Sequence, residues 1–97
     1  MELQDKKITL QTNATDTTKR IDELVGLFNV WIAGNEKPSS ISFCFITSNS
    51  HPLAMEEIAH FLNSTADSLE GCDVEWNHKT DESLNEEIRV EITTSKK

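Results

Sequence analysis

The feature that most limits how this chain can fold is the division of polarity in residues 52–69, PLAMEEIAHFLNSTADSL. At 100° per residue, the mainly apolar side chains share one arc and the charged and amide side chains share the other. The apolar arc holds Ala54, Met55, Ile58, Ala59, Phe61, Leu62, Thr65, Ala66 and Leu69. Such a helix is predicted to lie on a sheet, and Gly71 is expected to end it.

A second amphipathic helix is predicted over residues 18–33, but its apolar stripe does not account for every apolar side chain. The stripe contains Ile21, Leu24, Val25, Phe28 and Ile32, with Trp31 at its edge. Leu27 and Val30 fall off the stripe and cannot reach the same sheet. Either the N-terminal segment covers them or they meet another chain, so Leu27, Val30 and Trp31 form a candidate interface.

Four segments alternate in the manner of strands: KKITLQT, ISFCFIT, CDVEWNH and EEIRVEITT. The order β-α-β-α-β-β predicts an α+β fold, a two-layer sandwich in which two helices cover one face of a four-stranded sheet. The other face is expected to be wetted and to carry Thr9, Gln11, Glu75, Arg89 and Glu91. Residues 1–97 are enough for a single domain, with 1–5 and 94–97 expected to be frayed.

The last two strands are predicted to form a hairpin. Asp81, Glu82 and Asn85 would make its bend, since TDESLN is a turn by composition. Arg89 would then pair across the hairpin with Glu75 or a neighbour.

Charge and composition narrow the classes of partner. The net charge is −8, with 17 acidic and 9 basic side chains, which disfavours nucleic acid and anionic membranes. No stretch approaches the roughly 18 apolar residues of a membrane span, and the N-terminus does not read as a signal peptide. We therefore expect a cytoplasmic protein whose two cysteines, Cys44 and Cys72, are reduced thiols.

Few residues suggest chemistry. His60 has Glu56 one helical turn before it, but without a second histidine this is not a metal motif. The glycines are scattered, so no phosphate loop is present. The predictions are no catalytic residue, no cofactor, no metal and no enzymatic activity. His51, His78, Asp81 and Arg89 form a candidate polar site, in which His78 would pair with Asp81 or Glu82.

Two stretches carry a family resemblance: ISFCFITSNSHPLAMEEIAHFLNS and DVEWNHKTDESLNEEIRVEITTS. They resemble the C-terminal domain of the tubulin/FtsZ family, the self-assembling GTPases. The matching positions are Met55, Glu56, Glu57 and Ile58, and then Asp81, Leu84, Glu86, Glu87, Ile88, Arg89, Val90 and Ile92. Residues 6–33 fit more loosely, in the place of the strand and helix that open that domain.

The resemblance implies a two-layer β-α-β-α-β-β sandwich and a free-standing assembly-type domain without nucleotide chemistry. The sequence has no counterpart of the family's GTP-binding domain or of the acidic loop that completes GTP hydrolysis in a neighbouring subunit. It also lacks the trailing peptide that recruits membrane anchors.

The sequence is compatible with three functions. The first is a non-enzymatic interaction module that binds or caps a tubulin-like filament or self-associates as a homo-oligomer. The second is a small trimeric enzyme of chorismate-mutase-like or reactive-intermediate-deaminase-like fold, with sites between subunits and Arg20 or Arg89 as the basic group. The third is an acidic decoy for a basic or nucleic-acid-binding protein partner, and added salt would weaken that binding.

Overall fold

Strands and helices follow one another in the predicted order. The computed structural model describes residues 6–12, 17–35 and 38–95. Its elements are β1 (Lys6–Gln11), α1 (Thr17–Ala33), β2 (Ser40–Thr47), α2 (Met55–Thr65), a short 3-10 helix (Asp67–Leu69), β3 (Asp73–Thr80) and β4 (Arg89–Ser95). The predicted α+β class and β-α-β-α-β-β order are therefore confirmed. No helix within the described ranges combines the length and apolarity that crossing a bilayer demands.

The ends of the chain differ in part from the prediction. Residues 1–5 and 96–97, expected to be frayed, lie outside the described residues. Thr94 and Ser95, which were included in the frayed end 94–97, instead belong to β4. They are held there by β4's two neighbouring strands, because Thr94 lies opposite Lys6 and Ile41, and Ser95 lies opposite Ser40.

The sheet has the strand order β1-β4-β2-β3, which contradicts the predicted hairpin. β4 runs antiparallel to both β1 and β2, whereas β2 and β3 are parallel. β2 therefore lies between β3 and β4, and these two strands do not pair. Burial explains the arrangement, because Phe43 and Phe45 of β2 and Val90 and Ile92 of β4 are completely buried and need interior positions.

An aromatic cluster joins the two layers. Phe61 of α2 meets Phe43 and Phe45 of β2 edge-on, with ring centroids 5.1 and 5.3 Å apart. Phe28 of α1 lies 5.7 Å from Phe61 and 5.5 Å from Phe43. These four rings are fully buried, and edge-to-face contacts of this kind add about 0.5–1.5 kcal/mol each beyond the burial of area.

The second face of the sheet is polar, as predicted. Thr9 lies opposite Glu91, and Gln11 lies opposite Arg89. Lys7 and Lys79 approach Glu91 from either side, each with its Nζ 3.9 Å from Oε1. Such exposed ion pairs contribute about 0–1 kcal/mol to the stability of the fold. This face is therefore a polar surface that adds little to stability.

Helix α2 is shorter than the predicted 52–69. It begins at Met55, after Ala54 in an extended conformation, and the Glu57 carboxylate accepts the Ala54 N–H at 3.0 Å at its N-terminus. After Thr65 the chain tightens into the 3-10 helix, and Gly71 follows with φ of +84°, a conformation that glycine adopts without penalty. The shortening leaves part of β3 without a helix above it.

Candidate functional site

Three segments converge at one end of the sheet. The loop after β2 (48–54) and the loop between β3 and β4 (81–88) both follow strands that run to this end, and the first turn of α1 packs against them. Ser48 Oγ donates to the Asn85 carbonyl at 2.8 Å, and the Asn49 amide bonds the Glu82 carboxylate. This loop end contains His51 and Asp81 of the candidate polar site, and Arg89 follows it as the first residue of β4.

A buried arginine organises the loop end. Arg20 is 1% exposed, and its Nε and Nη2 donate to the two carboxylate oxygens of Glu57, both at 2.7 Å. Its Nη1 donates to the carbonyls of His51 at 3.0 Å and Glu86 at 3.3 Å, and Nη2 donates to that of Pro52 at 3.0 Å. All five N–H groups of the guanidinium are thereby used, so Arg20 holds the loops and has no donor left for a ligand.

Glu57 is held as a carboxylate by this arrangement. Its partial burial acts to raise the pKa, but the hydrogen bonds from Arg20 and Ala54 and the charge of Arg20 outweigh that effect. The pKa of Glu57 therefore lies below its ordinary value. One carboxylate thus caps α2 and neutralises the buried arginine.

Asp81 and Arg89 come together, as the candidate polar site requires. Arg89 Nη1 lies 3.3 Å from Asp81 Oδ2, and Arg89 Nε donates to Gln11 Oε1 at 3.1 Å. Asp81 also accepts the N–H and hydroxyl of Ser83 at 2.9 and 2.8 Å. These Ser83 bonds, with the Arg89 charge, lower the pKa of Asp81. The predicted pairing of Arg89 with Glu75 is wrong, because β2 separates their strands.

The two histidines of the candidate site do not join this pair. His51 contributes its backbone: its carbonyl bonds Arg20, and its N–H bonds the Ser48 carbonyl and hydroxyl. His78 lies in β3, opposite Phe45 of β2, and is exposed. The predicted contact of His78 with Asp81 or Glu82 is not formed, since Asp81 bonds Arg89 and Ser83 while Glu82 bonds Asn49.

His60 has an acidic neighbour that the sequence did not indicate. Its Nε2 lies 2.7 Å from Asp22 Oδ1, so the contact joins the exposed sides of α2 and α1. Within residues 6–12, 17–35 and 38–95, no three histidine, cysteine or acidic side chains are grouped closely enough to hold a metal ion.

The candidate interface on α1 divides into two exposed side chains and one that is partly packed. Val30 is 77% exposed and Leu27 is 37% exposed, on the side of α1 that faces away from the sheet. Trp31 is half-buried, and its ring lies 5.8 Å from that of Phe28. Leu27 and Val30 are one helical turn apart, so they form a small apolar surface, which we name the α1 patch.

A groove beside β3 was missed by the sequence reasoning. Its volume is about 410 Å³, and it is lined by Leu62, Ala66, Leu69, Val74 and Trp76. Val74 and Trp76 lie opposite Ile41 and Phe43 on the helix side of the sheet, but they remain 38% and 37% exposed. The early end of α2 at Thr65 accounts for this exposure, and Gly71 did not indicate it, because the glycine follows the 3-10 helix and not α2.

Comparison with solved structures shows which known fold this chain resembles. No protein-family model matches the sequence, and neither does any curated protein. Among solved structures, an FtsZ dimer from M. jannaschii matches with a TM-score of 0.69 at 16% identity, covering 94% of this chain and 26% of that one. A tryptophan-to-tyrosine mutant of the same FtsZ matches with a TM-score of 0.70 at 15% identity, covering 94% of this chain and 27% of that one.

Thiamine monophosphate kinase from Aquifex aeolicus is similar at a lower level, with a TM-score of 0.58 at 12% identity over 98% of this chain and 33% of that one. The chain spans only about a quarter of the length of the FtsZ chains. Its fold is therefore FtsZ-like, consistent with that of the FtsZ C-terminal domain, and the resemblance seen in the sequence holds at the level of fold.

Proposed function

We propose that this chain is a non-catalytic interaction module, similar in fold to the FtsZ C-terminal domain, that binds a filament-forming protein partner through the α1 patch. The observation that carries the proposal is the exposure of Leu27 and Val30 on a helix whose other face is fully used by the core. An apolar surface of this kind gains free energy when a partner removes it from water.

The FtsZ-like fold supports a filament-forming partner. The first similar structure is a dimer of FtsZ, and it contains a domain of this shape within a chain about four times longer. A domain with a similar shape can present a surface like one of those on such a protein. The net charge of −8 favours a partner with basic side chains around the contact.

The basic side chains of the chain support a non-catalytic role. Arg20 and Arg89 are the only arginines, and each is already bonded within the protein, Arg20 by Glu57 and three carbonyls and Arg89 by Gln11 and Asp81. Arg20, whose five donors are all used, could bind an anionic substrate only by breaking these contacts. The proposal includes a cytoplasmic location, where Cys44 and Cys72 would remain reduced.

Co-sedimentation with FtsZ polymerised by GTP tests the proposal. The wild-type chain is expected to pellet with the filaments, and the double variant Leu27→Gln, Val30→Gln is expected to stay in the supernatant. Met55→Gln is the matched control, because Met55 is also an exposed apolar helix residue, 70% exposed, but lies on α2. Equal pelleting of wild type and double variant, or no pelleting of the wild type, would contradict the proposal.

A further inference from the structure

β3 is an edge strand whose outer side is open among the residues that the structure describes. The N–H groups of Asp73 and Asp81 donate towards β2, to the carbonyls of Ser39 at 3.0 Å and Thr47 at 2.9 Å. Backbone groups alternate in direction along a strand, so the N–H and C=O groups of the even-numbered residues 74, 76, 78 and 80 point away from the sheet. These groups are ready to pair with another strand.

The helix side of this edge is apolar. Val74 and Trp76 line the groove with Leu62, Ala66 and Leu69, and the Trp76 ring is 6.3 Å from that of Phe45. A strand added beside β3 would place its own side chains against this groove. Pairing would therefore bury apolar surface as well as satisfy backbone groups.

The charges of β3 select what can pair with it. Charged side chains on an edge strand ordinarily discourage pairing. In β3, however, Asp73 and Glu75 lie in the first half and Lys79 lies in the second half. A parallel copy of β3 would oppose like charges, whereas an antiparallel copy opposes an acid to a base.

We propose that two copies of this chain form a two-fold symmetric dimer by antiparallel pairing of their β3 strands, with Trp76 opposite Trp76 and Asp73 opposite Lys79 of the second copy. The inference rests on the proposed function only in treating the chain as a module that acts by association. It uses a surface separate from the α1 patch.

The register follows from the geometry of the edge. Even-numbered residues must oppose even-numbered residues, because only these present hydrogen-bonding groups outward and only these share the helix side of the sheet. With Trp76 on the two-fold axis, Val74 meets His78, Asp73 meets Lys79, and no like charges are directly opposed. A register centred on Asn77 would pair Glu75 with Lys79 but would also set Asp73 against Asp81.

In the resulting dimer the described strands of both copies form one continuous eight-stranded sheet, with α1 and α2 of both copies on one side. The two grooves meet at the axis, where each half-exposed Trp76 covers the other. Each contact occurs twice by symmetry, so a change at one residue acts on two pairs.

Charge reversal with sedimentation equilibrium tests the dimer. The wild type is expected to be a dimer, and Asp73→Lys or Lys79→Asp alone should weaken association roughly tenfold by making two attractive pairs repulsive. The double variant Asp73→Lys, Lys79→Asp should restore wild-type affinity. The control double variant Glu75→Lys, Lys79→Glu should not. A wild type that stays monomeric, or restoration by the Glu75 pair in place of the Asp73 pair, would overturn the proposal.

A proline at the edge gives an independent test. His78→Pro removes an outward N–H and leaves the odd-numbered bonds to β2 in place, so circular dichroism should show a folded monomer. His78→Ala should remain a dimer, and a dimeric His78→Pro would overturn the proposal. Should His78→Pro unfold, the charge-reversal series still decides, since Asp73 and Lys79 are exposed.

The two proposals fail separately. A monomer that still pellets with FtsZ filaments would remove the dimer alone. A dimer that does not pellet would remove filament binding alone, and Leu27→Gln, Val30→Gln is expected to leave dimer affinity unchanged.

Discussion

Arg20 and Glu57 form a bidentate ion pair between α1 and α2, with both nitrogen–oxygen distances at 2.7 Å. The two residues are 37 positions apart, and the pair fixes the first turn of one helix against the start of the other. The three loop carbonyls that also bond Arg20 then tie both loops of this end to α1. Removing the arginine would leave a carboxylate and three carbonyls without their partner.

Replacing Arg20 should therefore be severely destabilising. Arg20→Met keeps much of the volume but breaks a buried pair, and we expect the free energy of unfolding in urea to fall by about 3–5 kcal/mol. The double variant Arg20→Met, Glu57→Gln should be less affected, because no uncompensated charge remains. Lys7→Ala, which removes only an exposed pair with Glu91, is the control and should change stability by less than about 0.5 kcal/mol. A loss in Arg20→Met as small as that of the control would contradict the structural role of Arg20.

The same pair gives a pH dependence with a defined sign. The pKa of Glu57 is lower in the folded state than its ordinary value of 4.5, so the folded state binds its proton less readily. The stabilisation is complete above about pH 4.5 and is lost as the pH falls through the lowered pKa. Urea unfolding measured between pH 7 and pH 3 should show a shallower acid loss in Glu57→Gln than in wild type. Glu56→Gln is the matched control, and an equal change of slope there would argue against Glu57 as the source.

Thr12 connects β1 to the start of β4 through two hydrogen bonds. Its Oγ1 accepts the Ile88 N–H at 3.1 Å, and its own N–H donates to the Ile88 carbonyl at 3.0 Å. Thr12→Val has nearly the same shape but leaves the buried Ile88 N–H without an acceptor, so unfolding should become easier by about 1–3 kcal/mol. Thr93→Val, on the exposed face of β4, should stay within about 0.5 kcal/mol of wild type.

Phe61, like Phe43, contacts the other three buried phenylalanine rings, and it is the one that α2 contributes. Phe61→Ala should lower the free energy of unfolding by about 3–5 kcal/mol, because it removes buried area and leaves a cavity between the layers. Phe61→Leu fills part of that space and should cost less. An equal loss in both variants would show that ring contacts outweigh volume at this position.

Periodicity predicted which side chains face the core, but not which strands are neighbours. The burial of Phe28, Phe43, Phe61 and Val90 follows from alternation and from the helical stripe, since each is a local property of its own segment. The neighbours of β4 depend on long-range pairing, and the short connection from β3 suggested a hairpin instead. The signal available was the charge of β3, because Asp73, Glu75 and Lys79 suit an edge better than an interior position.

The organisation of the loop end was beyond sequence reasoning for a similar reason. Arg20 lies in the first turns of α1 without a motif around it, and its partner Glu57 was counted among the solvent-facing residues of the second helix. Only the packing of α1 against α2 brings the two together and removes them from water. The Asp81–Arg89 contact was within reach because both residues lie close together in the chain, eight positions apart.

The position of β4 between β1 and β2 has a consequence for biosynthesis. When residues up to Thr80 have left the ribosome, three strands have been synthesised. At that stage β1 still has no hydrogen-bonding neighbour, and one edge of β2 is unpaired. The sheet can close only when residues 89–95 emerge and insert between strands made much earlier. Nascent chains of this protein thus depend on a late, long-range closure of the sheet. Until then they expose unpaired backbone N–H and C=O groups to other polypeptides.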